Sequence, residues 1–325
     1  MSPYSSGWYD PGMSPAEVTA RVKALASEQG FCRVGTAPVG RLGREEYYRR
    51  WLSAGRHGRM AYLARNLAVR FDPSRLLPEA RSLIVVAHAY GQPAPSRPDD
   101  QPRGQVARYA WGRDYHKVVK RKLLALRDRL CAEVGQPFEM RVCVDTAPLV
   151  EREWAARAGI GWIGKNTLVI HPLLGSYFFL GVLVTTLELV PDAPLTDHCG
   201  TCTRCLQACP TGAFPAPYEM DASRCISYFT IEMRDAIPEE FQAAMGDWVF
   251  GCDVCQEVCP YNHPAPLRPD PAYALRAPGP FPLLRELLEW SEDDYRARLA
   301  GSAMKRATLA MLRRNARIAL HNVIQ

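Results

Sequence analysis

The chain has 325 residues, of which 47% are hydrophobic and 23% charged, and its formal net charge is +6. This is ordinary globular composition, and the length allows two or three domains with a sizeable core. The start lacks the charged and apolar regions of a signal peptide, and the longest near-apolar run, residues 177–190, is too short and polar to span a bilayer. We therefore expect a cytoplasmic protein without a membrane partner, and its mild basicity is compatible with a nucleic-acid partner.

Predicted helices and strands alternate from residue 14 to residue 190, which favours an α/β (α+β) domain with an open sheet. Ser14, Pro15 and Glu17 predict a capped helix start. The continuous apolar run 82–90 predicts a strand buried on both faces. The remaining elements in chain order are a helix to residue 30, a strand at 31–35, helices at 44–53 and 60–66, a helix at 114–135, a strand at 138–144, a helix at 148–158 and a strand at 177–186.

The sequence predicts three segments. Residues 1–190 form the α/β domain, residues 191–265 a small cysteine-rich domain held together by its metals, and residues 266–325 a helical segment. Its helices are expected at 282–290, 292–300 and 302–322. Three cysteines outside the cysteine-rich domain, Cys32, Cys131 and Cys143, fall within predicted helix or strand and are expected to be buried small apolar residues.

Eight of the eleven cysteines lie within residues 199–259. Four of them, followed by Pro210, form the C-x2-C-x2-C-x3-C-P run of bacterial ferredoxins, in which three thiolates hold one 4Fe–4S cluster and the fourth holds a second. The closing run lacks its first cysteine, and Cys225 can replace it. The crossover arrangement assigns Cys199, Cys202, Cys205 and Cys259 to one cluster, and Cys209, Cys225, Cys252 and Cys255 to the other.

Two other readings of these cysteines fit the pattern poorly. A disulfide framework is typical of small secreted chains, whereas this chain has 325 residues and starts without a charged n-region and an apolar h-region. Zinc sites usually pair C-x2-C with a distant C-x2-C, not with a run of three closely spaced cysteines. The sequence therefore predicts two 4Fe–4S clusters and electron transfer.

Asp145 follows the predicted strand 138–144, and ligands of open α/β sheets lie beyond the carboxyl ends of the strands. This aspartate is either the N-cap of the next helix or a general acid, which needs a desolvated setting to hold its proton near neutral pH. The glycine-rich segment 159–164 follows a predicted helix, which argues against a dinucleotide site. It is either an ordinary connection or a loop that approaches something closely, and Lys165 and Asn166 extend it with donors.

Two basic segments are candidate RNA contacts. Arg108, Tyr115 and His116 lie in a stretch that combines cations with aromatic rings, which suits a splayed-out base and its phosphates, or else forms a solvated loop. Residues 301–325 have no acidic residue and predict an amphipathic basic helix. Its cations either contact RNA phosphates or form a solvated face; the candidates are Arg313, Arg314 and Arg317.

Six segments together resemble the epoxyqueuosine reductase family, and the resemblance extends over residues 14–320. That family reduces the epoxide of epoxyqueuosine at the wobble position of tRNA to queuosine, with a cobalamin and two 4Fe–4S clusters, and is similar to reductive dehalogenases. Many of its members continue into a longer helical C-terminal region. The segments are HGRMAYLARN (57–66), ARYAWGRDYHKVV (107–119), VDTAPLVEREWAARAGIGWIGKNTLVI (144–170), GSYFFLG (175–181), RCISYFTIE (224–232) and GCDVCQEVCP (251–260).

The resemblance implies roles for particular residues. Asp145 matches the family's proposed proton donor, which protonates the leaving oxygen, and the eight cysteines match its cluster ligands. Residues in the segments that line the cobalamin are Arg65, Asp145, Lys165, Asn166, Ile170, Ser176, Gly181, Ser227, Cys252 and Asp253. The sequence has no D-x-H-x-x-G motif to supply a histidine ligand to cobalt. The cobalamin is therefore expected base-off, and the single histidines His57, His88, His116 and His171 are expected to be structural or to face the substrate.

The implied partners are a tRNA with a queuosine-type anticodon and an external low-potential electron donor, and a monomer is expected. A reductive dehalogenase would use the same parts on another substrate class. Such enzymes usually carry a twin-arginine export signal, whereas neither Arg49-Arg50 nor Arg313-Arg314 precedes an apolar region. A ferredoxin-type carrier is the third alternative, and it leaves the long stretch before the cysteines without a purpose.

Overall fold

The structure is a computed structural model, and it describes residues 13–135, 137–263, 265 and 269–325. The strands are β1 (Arg33–Pro38), β2 (Ser82–Ala89), β3 (Gln105–Val106), β4 (Met140–Cys143), β5 (Trp162–Ile163), β6 (Val169–Ile170), β7 (Phe178–Thr185) and β8 (Trp248–Phe250). The α-helices are α1 (Pro15–Glu28), α2 (Glu45–Ser53), α3 (Leu67–Phe71), α4 (Tyr115–Glu133), α5 (Glu151–Arg157), α6 (Arg204–Ala208), α7 (Ile226–Ile231), α8 (Glu239–Gln242), α9 (Val254–Glu257), α10 (Leu284–Glu289), α11 (Glu292–Arg298) and α12 (Leu309–Ile324). Short 3-10 helices occupy Ala61–Ala64, Pro73–Arg75, Arg108–Ala110, Ala222–Arg224, Ala243–Met245, Pro260–Asn262, Pro271–Tyr273 and Ala303–Arg306.

A four-stranded antiparallel sheet in the order β1-β2-β7-β4 forms the centre of the first predicted segment, residues 1–190. The two central strands are buried on both faces, which confirms the prediction from the apolar run 82–90. Helices α1 and α4 cover one face, and α5 covers the other. An apolar run carries no information about strand direction, and here the strands are antiparallel. The rule about the carboxyl ends of parallel strands therefore does not explain the position of Asp145.

The helix start predicted at Ser14 is confirmed by the hydrogen bonds of its capping residues. Ser14 accepts a hydrogen bond from the backbone N–H of Glu17, and Glu17 accepts one from the backbone N–H of Ser14 at 2.8 Å, which completes the predicted capping box. The predicted helix 302–322 is instead a 3-10 turn followed by α12. Ser302 and Thr308 each cap their own start, so the chain is interrupted between them.

A second hydrophobic core unites parts of all three predicted segments. Strand β3 pairs in parallel with β8, and Trp111 and Phe250 pack with the buried faces of α10 and α12. Asn315 of α12 is fully buried, and its amide donates to the carbonyl oxygens of Thr230 and Val249. The C-terminal helices are therefore part of the support for the cysteine-rich domain.

The three cysteines outside the cysteine-rich domain differ in exposure. Cys143 is buried at the end of β4, and Cys32 is partly buried. Cys131 is exposed on α4, so the prediction of its burial is wrong, because it lies on the helix face turned away from the sheet. Within the described ranges, no helix combines the length and the hydropathy needed to cross a membrane.

Candidate active site

A cleft of about 430 Å³ lies between the sheet and the cysteine-rich domain. Its sheet side, as we name it, consists of Tyr115, Asp145, Glu151 and Phe179, which come from α4, the loop after β4, α5 and β7. Its cysteine side consists of Cys209, Cys225, Cys252 and Cys255. Apolar and aromatic side chains fill most of the remaining lining, among them Tyr90, Tyr109, Phe178, Leu180, Phe214 and Ile226.

The eight clustered cysteines line two separate cavities. The cysteine side faces the cleft, whereas a second, smaller cavity is lined by Cys199, Cys202, Cys205 and Cys259. These are the two sets that the ferredoxin spacing assigns to two clusters in the crossover arrangement. Asn166 lines both cavities, and its amide donates to the carbonyl oxygen of Cys255 at 3.3 Å.

The glycine-rich segment 159–164 brings the β5–β6 hairpin close to the second cavity. A Cβ at Gly161 would lie 2.4 Å from the carbonyl oxygen of Ile170, so the segment does make a close approach, and its partner is its own hairpin. The indole N–H of Trp162 donates to the sulfur of Cys199 at 3.4 Å. Lys165 is buried and its ammonium donates to the carbonyl oxygens of Gly200 and Cys202, which fixes the loop of the first cysteine run.

Asp145 is held in a left-handed backbone conformation, with φ of 54°. Its carboxylate accepts hydrogen bonds from the hydroxyl of Tyr115 and from Nε2 of His116, the latter at 3.1 Å. Helix α5 starts at Glu151 with Val150 at its N-cap, so the alternative that Asp145 caps this helix is wrong. Its backbone and its partners direct the carboxylate into the cleft, where 60% of the side chain is exposed.

His116 joins two carboxylates. Its Nδ1 lies 2.7 Å from Oδ1 of Asp114, the N-cap of α4, and its Nε2 faces Asp145. Burial would lower the pKa of His116, but the hydrogen bonds to Asp114 and Asp145 outweigh burial and raise the pKa to about 9. We call Asp114, Tyr115, His116 and Asp145 the proton network. At neutral pH the imidazole of His116 is therefore charged.

The pKa of Asp145 itself is lowered. Enclosure by protein acts to raise it, but the hydrogen bonds from His116 and Tyr115 and the charge of His116 prevail. The expected setting, in which Asp145 would keep its own proton near neutral pH, is therefore not present. The proton lies on His116, one hydrogen bond away.

Comparisons with known proteins identify the family of this chain. Residues 198–262 match a family model described as a 4Fe-4S double cluster binding domain. Residues 70–146 match the model described as "Epoxyqueuosine reductase QueG, DUF1730". A curated epoxyqueuosine reductase of Xanthomonas campestris is 42% identical over 95% of this chain and 88% of its own length. The chain belongs to the epoxyqueuosine reductase family. It is therefore an oxidoreductase with a double 4Fe–4S binding domain.

Further members of the epoxyqueuosine reductase family are also similar to this chain. The curated enzyme of Pseudomonas aeruginosa is 42% identical over 95% of this chain and 86% of its own length. A crystal structure of epoxyqueuosine reductase with a tRNA-Tyr epoxyqueuosine-modified stem loop has a TM-score of 0.86 and 32% identity, covering 93% of this chain and 80% of that chain. A Bacillus subtilis structure, whose catalytic aspartate loop is swung out of the active site, has a TM-score of 0.86 and 31% identity, covering 93% and 81%.

The ten residues assigned to the cobalamin by the family resemblance fall into two groups. Those that line the cleft are Asp145, Asn166, Ser176, Ser227, Cys252 and Asp253. The other four do not. Ile170 lines the second cavity, and Lys165 holds the cysteine loop. Gly181 faces α4, where a Cβ would lie 2.8 Å from Leu123, and Arg65 is exposed after the 3-10 turn Ala61–Ala64.

Most of the predicted RNA contacts are occupied within the protein. The side chain of Arg108 is 11% exposed, and its guanidinium lies over the rings of Trp111 and Tyr177 and donates to the carbonyl oxygen of Gln92. Tyr115 and His116 belong to the proton network. Tyr115 also lines the cleft, and Nε of Arg108 is buried without a hydrogen-bond partner among the described residues. Contact of these three residues with a splayed-out base or its phosphates stays a prediction.

The three candidate arginines of α12 differ in their surroundings. Arg313 donates to the carbonyl oxygen of Trp290, and Arg314 donates to those of Phe229 and Met233. These two arginines support the fold, because their guanidinium groups tie α12 to the backbone of other segments. Arg317 is exposed and stays a candidate for RNA contact.

The single histidines His57, His88 and His171 lie, like His116, outside the cleft lining. His88 is 1% exposed and its Nδ1 lies 2.8 Å from the hydroxyl of Tyr273. His171 accepts backbone N–H groups of the loop that follows β6, and His57 packs against Trp51. Each has a structural environment, as the sequence predicts.

Proposed function

We propose that this protein reduces the epoxide of epoxyqueuosine in tRNA to queuosine. The observation that carries the proposal is the cleft itself, in which Tyr115 and Asp145 of the proton network face the same space as four cysteines of a double-cluster domain. Reduction of an epoxide to an alkene needs electrons and protons at one position, and these two sides supply both. The relatives named above and the stem-loop complex of one of them support the choice of substrate.

The two sets of four cysteines would hold two clusters through which electrons pass in turn. Cys199, Cys202, Cys205 and Cys259 would hold the cluster that receives electrons from an external low-potential donor. Cys209, Cys225, Cys252 and Cys255 would hold the cluster that faces the cleft. Asn166, which lines both cavities, would keep the two clusters adjacent.

The lining of the cleft fits a cobalamin. Its long aromatic and apolar surfaces suit a flat macrocycle, and Asn166, Ser176 and Ser227 place polar groups among them. When bound, cobalamin would supply a cobalt centre that can hold both electrons. The described histidines lie outside this lining, so the base-off form stays the expected one. The residues proposed to hold the cofactor are Asn166, Ser176, Ser227 and Asp253.

The proton network supplies a proton to the leaving oxygen. His116 holds the proton at Nε2 against the carboxylate of Asp145, which is exposed to the cleft. Asp145 relays this proton instead of storing it, and Tyr115 orients the carboxylate. The ring of Tyr115 stacks on Phe179 at 4.2 Å, which keeps the hydroxyl in place.

Direct conversion of the substrate tests the proposed function. Anaerobically reconstituted protein with both clusters and cobalamin is incubated with a tRNA stem-loop that carries epoxyqueuosine and with a strong one-electron reductant. Mass spectrometry should show loss of one oxygen atom from the modified base. Absence of conversion, with the clusters and the cofactor spectroscopically intact, would remove this function. Dehalogenation of an aromatic halide in a parallel reaction would favour the dehalogenase alternative.

A further inference from the structure

The reduction requires a second proton in addition to the one from His116. Two carbon–oxygen bonds break, a carbon–carbon double bond forms, and the oxygen leaves as water. The balance takes two electrons, which come from the low-potential donor through the clusters, and two protons. The Asp145–His116 pair holds one proton, because Asp145 is ionised while His116 is charged.

Glu151 is a titratable group of the cleft with no role so far. It is the first residue of α5 and lines the cleft beside Asp145. Its Oε1 is enclosed by protein and has no hydrogen-bond partner among the residues that the structure describes. Glu153, two positions along the same helix, differs in this respect, because it pairs with Arg157 at 3.3 Å outside the cleft lining.

The charged and titratable groups around Glu151 come from four elements. Asp145 approaches from the loop after β4, Cys143 from β4 and Tyr115 from α4, while Arg152 follows on α5. The guanidinium of Arg152 is directed to the carbonyl oxygen of Thr167, at 2.8 Å. Burial, followed by the negative charge of Asp145, raises the pKa of Glu151 to about 8, although the charge of Arg152 and nearby backbone N–H groups offset part of this.

We propose that Glu151 is the second proton store of the cleft and recharges Asp145 after the first proton has been delivered. This inference rests on the proposed function. The first proton passes from His116 through Asp145 to the epoxide oxygen. The second passes from the carboxyl group of Glu151 to Asp145 and then to the hydroxyl that leaves as water. Glu151 ends as a carboxylate, His116 ends neutral, and both take up protons from solvent before the next turnover. Glu151 acts through Asp145, so it is a positioning residue.

The test compares the pH profiles of matched variants. Glu151→Gln keeps a neutral side chain of the same shape but cannot release a proton. Its kcat should fall on the order of 10²-fold, with an unchanged KM for the stem-loop. The wild-type rate should fall as the pH rises through about 8, where Glu151 loses its proton. In Glu151→Gln, only the decline that follows the loss of the His116 proton, near pH 9, should remain. Glu151→Asp should restore part of the rate and of the decline near pH 8, and Glu153→Gln should behave as wild type.

A second measurement does not depend on turnover. Infrared spectra of the protein without RNA at neutral pH should contain a protonated carboxyl band that Glu151→Gln removes and Glu153→Gln retains. Wild-type kcat in Glu151→Gln, or an unchanged carboxyl band, would overturn the inference. If wild-type protein does not convert the stem-loop, the proposed function fails, and the infrared comparison alone decides whether Glu151 holds a proton.

Discussion

The sheet side of the cleft presents titratable oxygen and nitrogen atoms, whereas the cysteine side presents thiols among apolar groups. Side chains from α4, the loop after β4 and β7 orient each other on the sheet side through hydrogen bonds and ring stacking. The cysteine side consists of short helices and loops, and metal binding to such a domain contributes to its folding. Protons thus reach the cleft from the sheet side and electrons from the cysteine side. A single substitution should therefore interrupt proton transfer without electron transfer, or the reverse.

The largest effect should come from Cys259→Ala. Cys259 lines the second cavity, although its neighbours in sequence, Cys252 and Cys255, face the cleft. The variant should therefore lose the cluster of the second cavity, so that iron falls from about eight to about four per chain, and turnover should cease. Iron and sulfide analysis with electron paramagnetic resonance measures this. Cys131→Ala, an exposed position on α4, is the control, and selective loss of the cleft-facing cluster would refute the crossover assignment.

Asp145→Asn should interrupt the proton supply alone. Asparagine keeps the shape of the side chain but cannot relay a proton, so turnover should fall on the order of 10²–10⁴-fold. Both clusters and cofactor binding should persist in visible spectra, because the side-chain hydrogen bonds of Asp145 among the described residues go to Tyr115 and His116 and not to the cysteine side. Asp128→Asn, on the outer surface of α4, is a matched control. Near-normal conversion of the stem-loop by Asp145→Asn would remove this residue from the mechanism.

His116→Gln should have a smaller effect on turnover, about 10-fold, because Glu151 and solvent still deliver protons. It should also change the pH dependence of stability. The pKa of His116 is raised to about 9 from an ordinary 6.5, so its stabilising contribution is complete below about pH 6.5 and is lost as the pH rises through about 9. The difference in melting temperature between wild type and variant should therefore shrink over that range. A difference that stays constant with pH would contradict the charged imidazole.

The smallest effect concerns RNA affinity and α12. Arg317→Gln should reduce the slope of binding against salt concentration by about 1, since an exposed arginine at a phosphate releases one counterion. Arg314→Gln should lower the melting temperature and leave the slope unchanged, because its donors serve the carbonyl oxygens of Phe229 and Met233. Titrations of a tRNA anticodon stem-loop at several salt concentrations measure both. An unchanged slope in Arg317→Gln would leave α12 with a structural role only.

Sequence patterns predicted those features that depend on neighbouring residues or on spacing. The capping box at Ser14, the buried strand 82–90 and the double run of cysteines are of this kind. The direction of the strands was not predictable, since an apolar run reads the same in parallel and antiparallel sheets. The start of α5 was predicted three residues early, because the left-handed backbone at Asp145 belongs to an irregular loop without a strong local signal.

Features that depend on distant elements were missed or misassigned. Helical spacing placed the arginines of α12 on a basic surface but could not reveal that carbonyl oxygens of residues 229, 233 and 290 lie opposite Arg313 and Arg314. Glu151 stands only six residues after Asp145, in the segment that carries the family resemblance. Its burial in the cleft with Asp145 becomes apparent only in three dimensions.

The pairing of β3 with β8 has a consequence for how the protein can be assembled. Residues 105–106 and 309–319 enclose Val249 and Phe250, which lie just before the last three cysteines. A fragment cut at residues 198 and 262 would expose this core to water, so the double-cluster domain is not a separable ferredoxin. During synthesis, the loop of Cys252 gains its full support only after α12 has left the ribosome. Stable loading of the cleft-facing cluster is therefore expected to follow the synthesis of α12.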